Sequence, residues 1–296
     1  METYNNPEIR PKYGANVTIR NFWQRHSQKQ SGEVFNAQQT GLSTSSISEV
    51  GVKRAENLGA LIKPSLHGAK GYISKSPRTL ATFDAMMSGY KSDGSNVPVR
   101  EAVRFKQGLV AAEGNKEFLQ TYNKKWEGNK QALLAQGIID GRYPNADFST
   151  LTPDQQEEIA EAAEEPVIRE WTDIADSELA KIYPPRLQAA KFAKLFNDRH
   201  ERMAGKLATG SEVDLFHVTH KSATEPFLAS GVLIRKSDGQ RITQLEQIGG
   251  SLQILGNWES EVKIDSQGKA STTVKIRDEE FLVDEDELQK LLSIKE

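Results

Sequence analysis

The sequence predicts an α/β protein with a mostly parallel central sheet. Short apolar stretches alternate along the chain with helical stretches, as in folds whose strands are joined by helices. Residues 213–219 (VDLFHVT) are almost continuously apolar, which is expected of a central parallel strand covered on both faces. Residues 262–264, a DSQG turn and residues 272–276 predict a β-hairpin nearer the end of the chain.

The length and composition suit a globular domain. The chain has 296 residues, enough for one large α/β domain or one domain with an insertion. Its hydrophobic fraction of 37% and charged fraction of 27% are ordinary for such a protein. We expect residues from roughly 1 to 112 and from roughly 184 to 296 to form this single domain together.

The first predicted strand begins near Val17 and ends in Arg25-His26-Ser27. An imidazole in this position can attack phosphorus, and a neighbouring guanidinium can hold the phosphoryl oxygens in a fixed fork. An Arg-His pair taken alone is more often a surface feature. The interpretation therefore depends on partners elsewhere in the chain.

A second strand is predicted at residues 71–74 (GYIS) and leads directly into Ser76-Pro77-Arg78. Ser76 is a typical N-cap residue, and Pro77 suits the first position of a helix. Arg78 would therefore lie in the first helical turn, where free backbone N–H groups and the helix dipole favour an anion. Taken singly, an arginine in this position is more often a solvated first-turn residue.

A third strand end carries His220, directly after the apolar strand at residues 213–219, and a short helix is predicted to follow. The carboxyl ends of parallel strands share one edge of an open sheet, and ligands bind there. We therefore expect Arg25, His26, Arg78 and His220 to converge on one anion.

The region from about residue 113 to residue 183 differs in pattern from the rest of the chain, because three helical patterns follow one another there. One of them, opened by Thr152-Pro153, is strongly acidic (TPDQQEEIAEAAEE). We interpret the region as a helical insertion that covers the site, and the acidic run as a solvated helix face.

These motifs, in this order and spacing, resemble those of the histidine phosphatase superfamily, which has the phosphoglycerate mutase-like fold. The family's Arg-His-Gly motif, its helix signature, its S-x-x-R-x-x-x-T segment and its second histidine correspond to Arg25-His26-Ser27, Ser48-Glu49-Val50-Gly51, Arg78 with Thr82, and Val218-Thr219-His220. The resemblance covers most of the chain outside the insertion. It agrees with our fold prediction, a three-layer α/β/α sandwich with a mostly parallel central sheet and a helical cap insertion.

The resemblance also implies a chemical role for each matched residue. His26 would attack phosphorus and carry the phosphoryl group as a phosphohistidine. Arg25, Arg78 and His220 would bind the equatorial oxygens and stabilise the charge of the transition state. This chemistry requires no metal ion and no other cofactor.

A carboxyl group is also needed to protonate the leaving oxygen. Glu101 is the first candidate, because members of the family often place this acid in the loop after the second or third strand. Glu225, a few residues after His220, is the second candidate, and Glu113 is the third.

Ser27 replaces the glycine of the family motif. Its hydroxyl can donate a hydrogen bond to the phosphate, or its added bulk can weaken binding. Lys221 and Lys29 can add positive charge for the substrate, or they can be solvated. His217 lies within the apolar strand, where a core histidine is expected; with His220 it forms H-x-x-H, a weak zinc signal without a third ligand.

The composition excludes several other classes. A formal net charge of −3 gives no reason to expect nucleic acid or an anionic membrane as a partner. The chain has no cysteine, so disulfides and thiol chemistry are excluded. Residues 1–16 lack the apolar core of a signal peptide, and no apolar run is long enough to span a bilayer, so we expect a cytoplasmic location.

The leading functional hypothesis is a metal-independent phosphomonoesterase whose partner is a small phosphorylated substrate or a phosphate anion. A phosphomutase is a second enzymatic interpretation. A non-catalytic phospho-ligand binding protein of the same fold is the third, motivated by Ser27 and the unassigned acid. The oligomeric state is not indicated by the sequence.

Overall fold

The computed structural model describes residues 14–27, 47–91, 98–104, 109–112, 114–143, 147–199 and 206–295. The strands in this part of the chain are β1 (Val17–Arg25), β2 (Ala69–Ile73), β3 (Val99–Arg104), β4 (Glu212–Thr219), β5 (Leu233–Arg235), β6 (Asn257–Ile264), β7 (Ala270–Ile276) and β8 (Glu279–Val283). The helices are α1 (Glu49–Leu61), α2 (Pro77–Tyr90), α3 (Lys116–Ile139), α4 (Pro153–Asp173), α5 (Glu178–Ile182), α6 (Pro185–Asn197), α7 (Lys221–Leu228) and α8 (Glu285–Leu292).

The strands form one mixed sheet in the order β3-β2-β4-β1-β6-β7-β8-β5. The first four strands of this order pair in parallel. From β1 onwards the pairing becomes antiparallel. The predicted hairpin is confirmed as the pair β6–β7, and such tight connections can join only antiparallel strands. The three predicted motifs follow β1, β2 and β4, which all belong to the parallel part of the sheet.

Helices cover both faces of the sheet, as two neighbouring residues of β1 illustrate. Phe22 stacks on Phe216, with ring centroids 5.1 Å apart, in the core beneath α1 and α2. Trp23 points to the opposite face and packs against Phe192 of α6 at 4.9 Å. Successive strand side chains point to opposite faces, so two apolar residues in sequence require a layer on each side. The predicted three-layer α/β sandwich is confirmed.

Helices α1 and α2 approach each other closely through glycine. A Cβ added at Gly59 would lie 2.0 Å from the carbonyl oxygen of Met86, and one added at Gly89 would lie 1.8 Å from that of Glu56. Neither glycine can therefore be replaced without moving a helix. This contact is important for the site because α2 carries Arg78 and α1 carries Gly51, which bonds to Ser27.

Helices α3, α4 and α5 occupy the segment for which the sequence predicts a helical insertion. Helix α4 begins with a capping box at Thr152, whose hydroxyl accepts a hydrogen bond from the backbone of Gln155. Its apolar side packs into the larger core through Val167, Ile168 and Trp171. This packing directs another part of α4 towards the ends of the parallel strands. The organisation of the chain as a single domain stays a prediction.

Within the described ranges, no helix is both long enough and apolar enough to cross a membrane.

Candidate active site

The register of the parallel strands brings the three predicted motifs to one edge of the sheet. Arg25 at the end of β1 pairs with Thr219 at the end of β4, and the N–H of His26 donates to the Thr219 carbonyl at 3.0 Å. On the other side of β4, the N–H of Ser74 donates to the Val218 carbonyl at 3.2 Å. The residues that follow the three strands are therefore neighbours.

The two histidines of the motifs lie against each other. The ring centroids of His26 and His220 are 4.9 Å apart, and the rings meet edge to face at 64°. Arg78 joins them, with its Nη2 3.4 Å from Nδ1 of His220. The structure thus assembles three residues in one cluster, in which His26 and Arg78 are buried and His220 is partly buried.

His26 is held in the tautomer that a nucleophile needs. Its Nδ1 lies 2.9 Å from the backbone carbonyl of Ser27, and a carbonyl can only accept, so Nδ1 carries the proton. In the neutral ring, Nε2 therefore has a free lone pair. Burial lowers the pKa of His26 well below its usual value, and the charges of Arg78, His220 and Arg25 add to the effect. The ring is consequently neutral at physiological pH.

Arg78 is positioned as predicted, in the first turn of α2 behind Ser76 and Pro77. Its side chain is buried, and its Nε and Nη1 have no hydrogen-bond partner among the described residues. Burial and the nearby charge of Arg25 lower the pKa of Arg78 to about 10, so the guanidinium is still charged at neutral pH. A buried cation with unused N–H groups is suited to binding an anion.

His220 is oriented by a chain of hydrogen bonds. Arg78 can only donate, so Nδ1 of His220 accepts and Nε2 carries the proton in the neutral ring. Nε2 then donates to Oγ of Ser74 at 3.1 Å, and Ser74 donates to Oγ1 of Thr79 at 3.1 Å. Thr79 completes the chain by donating to the carbonyl of Ser76 at 2.7 Å. These hydrogen bonds are mutually consistent, with each proton assigned to a single donor atom.

Ser27, predicted as a phosphate ligand, has a different contact in the structure. Its hydroxyl donates to the carbonyl of Gly51 at 2.8 Å, and its N–H donates to Oγ1 of Thr82 at 2.9 Å. Both of its protons are therefore engaged in joining the end of β1 to α1 and α2. This geometry supports a structural role for Ser27.

Arg25 is occupied by carboxylates of helix α4. Both of its terminal nitrogens contact Glu161 in a bidentate ion pair, with Nη2 2.6 Å from Oε1, and Nη2 also lies 3.2 Å from Glu164. Its Nη1 further donates to the carbonyl of Leu252 at 3.1 Å. Burial disfavours the charge of Arg25, but the two glutamates outweigh this and raise its pKa.

The interpretation of the acidic run as a solvated helix face is wrong for two of its residues. The side chains of Glu161 and Glu164 are only 12% and 19% exposed. The signal that identifies them is their helical phase: they precede the buried Ile168 by seven and four residues, and so share its side of α4.

Glu164 belongs to a second, deeper set of contacts. Its carboxylate lies 3.0 Å from Nζ of Lys221 and accepts a hydrogen bond from the hydroxyl of Tyr122 at 2.9 Å. Burial alone would raise the pKa of Glu164, but Lys221 and Arg25 together lower it to about 2. Lys221 is 2% exposed, so the interpretation of this lysine as a solvated residue is wrong. Lys29 lies outside the described residues.

Glu225, on α7, has the properties of a proton donor. It is fully buried; its Oε1 accepts from the N–H of Leu252 at 2.6 Å, and its Oε2 has no partner among the described residues. Burial raises its pKa to about 8, although Lys221 partly opposes the shift. At neutral pH the carboxyl is mostly protonated. The same residue, Leu252, donates to Glu225 and accepts from Arg25, which places the acid beside the first arginine of the motif.

The structure describes less of the other two acid candidates, Glu101 and Glu113. Glu101 lies on β3, three residues before the strand ends at Arg104, and not in the loop that follows. Its side chain and the whole of Glu113 lie outside the described residues.

His217 is a core residue, as predicted. Its ring is stacked between those of Trp23, at 3.7 Å, and Tyr72, at 5.1 Å, and its Nε2 lies 3.1 Å from Oδ1 of Asn21. In the described part of the chain, no group of three or more potential ligands is arranged to hold a metal ion.

Comparison with solved structures identifies the fold. The structure is similar to the phytase from D. castellii, with a TM-score of 0.51 and 11% sequence identity over 95% of this chain and 80% of the phytase. It also aligns with Hafnia alvei phytase (TM-score 0.45, 10% identity, 95% of this chain and 97% of that chain). A third alignment is with phosphoglycerate mutase from Bacillus anthracis str. Sterne (TM-score 0.40, 14% identity, 95% and 99%).

No family model and no curated protein matches the sequence. The fold assignment therefore depends on structure, and among these three alignments it depends on the first. The predicted resemblance to the histidine phosphatase superfamily is confirmed at the level of the fold. At such low identity a shared fold does not define an activity.

Proposed function

We propose that this protein is a metal-independent phosphomonoesterase that acts through a phosphohistidine on His26. The observation that carries the proposal is the state of His26. Its ring is neutral, its Nδ1 is engaged by a backbone carbonyl, and the ring lies against His220, which Arg78 contacts.

In the first step, the phosphate of the substrate binds against the unused N–H groups of Arg78 and beside His220. The lone pair on Nε2 of His26 attacks phosphorus, and the bond from phosphorus to the leaving oxygen breaks. Arg78 stabilises the charge on the equatorial oxygens in the transition state. The hydrogen bonds of His26 and His220 already orient these two rings before substrate arrives, so neither has to reorganise during the reaction.

Glu225 is our preferred donor of the proton to the leaving oxygen. Its pKa of about 8 keeps the carboxyl protonated at neutral pH, and an acid is most effective when its pKa lies near the working pH. After the transfer, the Glu225 carboxylate takes a proton from water. That water attacks the phosphohistidine, releases phosphate and restores His26. Glu101 stays the alternative donor.

The function is tested by measuring phosphate release from a panel of aryl and alkyl phosphate esters, with and without chelator. Turnover that is insensitive to chelator and absent in His26→Ala supports the proposal. Dependence on a bisphosphate primer would indicate a phosphomutase instead.

A specific observation favours a second candidate function, a non-catalytic phospho-ligand binding protein. Arg25 is held by Glu161 and Glu164, so one of the expected phosphate contacts is already occupied. Anion binding without hydrolysis of any ester in the panel would establish this candidate.

A further inference from the structure

The charges around Arg25 are balanced without a ligand. Arg25 and Lys221 provide two cations, and Glu161 and Glu164 provide two anions that contact both of them. Arg78 lies outside this group, and its contacts among the described residues include no carboxylate. A phosphate that enters the site therefore meets one uncompensated guanidinium, although the motif supplies two.

Glu161 takes the position on Arg25 that a phosphate would use. Its two carboxylate oxygens accept from the two terminal nitrogens, the side-by-side geometry in which guanidinium also binds phosphate. While this pair is intact, Arg25 has no terminal nitrogen without a carboxylate partner. Of the three guanidinium nitrogens, Nε alone has no partner among the described residues, so a phosphate can gain the bidentate contact with the terminal nitrogens only by displacing Glu161.

The two glutamates are not held equally. Glu164 is anchored by Lys221 at 3.0 Å and by Tyr122 at 2.9 Å, whereas the other described ion contact of Glu161 is to Lys221 at 3.7 Å. Glu161 also lines an open cleft of about 450 Å³, together with Glu158 and other residues of α4 and with Arg54. Its carboxylate can turn into this cleft and regain water, whereas Glu164 would leave a buried lysine unpaired.

We infer that Glu161 sets the affinity of the site for phosphate by competing with the substrate for the guanidinium of Arg25. This inference rests on the proposed function, since it assigns Arg25 to the phosphate pocket. The phosphate of a monoester, a dianion with three acceptor oxygens, displaces the carboxylate and recruits the second arginine. Anions with one charge are weaker competitors for the same fork.

The test is the affinity of inorganic phosphate and orthovanadate, measured by titration calorimetry on the wild type and on Glu161→Gln. The amide is nearly isosteric but carries no charge, so it competes less well. We expect the dissociation constant to fall about tenfold, the factor that corresponds to one weakened charge-assisted hydrogen bond. The KM for an ester should fall in parallel.

Glu158→Gln is the matched control. Glu158 lies on the same helix and lines the same cleft, and its replacement by glutamine changes the charge by the same amount. We expect its affinity for phosphate to stay within about twofold of the wild type, since distant exposed charges are screened. In an Arg25→Gln background, Glu161→Gln should no longer tighten binding, because its partner is absent.

Unchanged or weaker anion binding in Glu161→Gln overturns the inference, since Glu161 would then be supporting Arg25 and not competing for it. Equal gains in Glu161→Gln and Glu158→Gln overturn it as well. These results leave the phosphatase proposal intact if esters are still hydrolysed. Conversely, tighter anion binding without any hydrolysis supports the inference and contradicts the phosphatase.

Discussion

The rings of His26 and His220 meet edge to face with their centroids 4.9 Å apart. At this distance two imidazolium ions would repel each other, and Arg78 beside them adds a third positive charge. The arrangement therefore favours the neutral form of His26, whose pKa is lowered by burial and by these neighbouring charges. The following predictions derive from that electrostatic state and from the contacts that maintain it.

The first prediction concerns the nucleophile. His26→Ala should lower kcat by at least about 10³-fold, because it removes the proposed nucleophile. In His26 the carbonyl of Ser27 holds the proton on Nδ1, which leaves the lone pair of Nε2 for attack on phosphorus. Phosphate release gives the rate, and rapid quenching with a labelled ester should detect an acid-labile, base-stable phosphoenzyme in the wild type alone. His67→Ala, which changes an exposed histidine, is the control. Persistent turnover in His26→Ala would eliminate the mechanism.

The second prediction concerns the proton donor. Glu225→Gln should slow alkyl esters more than activated aryl esters, because only a poor leaving group needs a proton. In the wild type, hydrolysis of alkyl esters should decline as pH rises through about 8, where Glu225 loses its proton. The decline should be absent in Glu225→Gln. If Glu101→Gln shows the leaving-group effect and Glu225→Gln does not, the donor is Glu101.

The same pKa has a consequence for stability. The folded state of Glu225 binds its proton more tightly than the unfolded chain does, since its pKa is raised to about 8 from 4.5. The stability that this protonated carboxyl contributes to the folded state is fully present below pH 4.5 and is lost as pH rises towards and through about 8. Urea unfolding at pH 6 and pH 9 should therefore show a smaller loss of stability in Glu225→Gln than in the wild type. Equal losses in the two proteins would contradict the assignment.

The fourth prediction concerns the orientation of His220. Ser74→Ala removes the group that accepts from Nε2, so the tautomer preference of the ring should weaken, with only the contact from Arg78 to Nδ1 left to maintain it. The ¹⁵N chemical shifts of His220 report this directly, and kcat should fall about tenfold. Thr79→Val, which interrupts the chain one step farther away, should have a smaller effect of the same kind. Unchanged ¹⁵N shifts in Ser74→Ala would show that the chain does not select the tautomer.

The fifth prediction concerns stability away from the site. Asp214 is fully buried and accepts from Arg20 at 2.7 and 2.8 Å, from Tyr90 at 2.6 Å and from the N–H of Ser65 at 3.0 Å. Asp214→Ala should reduce the free energy of unfolding by about 3–5 kcal/mol, because the partners are left without an acceptor.

Urea unfolding measures the Asp214→Ala loss. Tyr90→Phe should cost less, about 1–2 kcal/mol, since it removes the hydrogen bond to Asp214 and the one from the N–H of Ser65, which keeps Asp214 as an acceptor. A loss below 1 kcal/mol in Asp214→Ala would show that the partners are satisfied in another way.

Local signals were sufficient for the parts of the site that lie at strand ends and caps. Arg78 follows an N-cap serine and a proline, and His220 follows an apolar strand; both patterns span only a few residues. Because parallel strands end at the same edge, their convergence with His26 followed from the sequence as well. The fold class was predictable for the same reason.

The partners of these residues were decided by the tertiary structure. Glu161 contacts Arg25 across 136 positions of sequence, and Leu252 contacts it across 227. No local pattern encodes such a pair: the helical phase of the acidic run indicates which of its members face inward, but not what they contact. The raised pKa of Glu225 has the same origin, because it depends on burial, and burial depends on what packs over the residue.

The sequence by itself therefore determined where His26, His220 and the arginine at the helix N-terminus lie, since each belongs to a short segment with its own geometry. The tertiary structure alone decided that Arg25 is paired, that Ser27 bonds to Gly51 and that Glu225 holds its proton. The physical reason is that charge state and hydrogen-bond partner depend on distances between segments. Those distances exist only once the cap helices and the sheet have packed together.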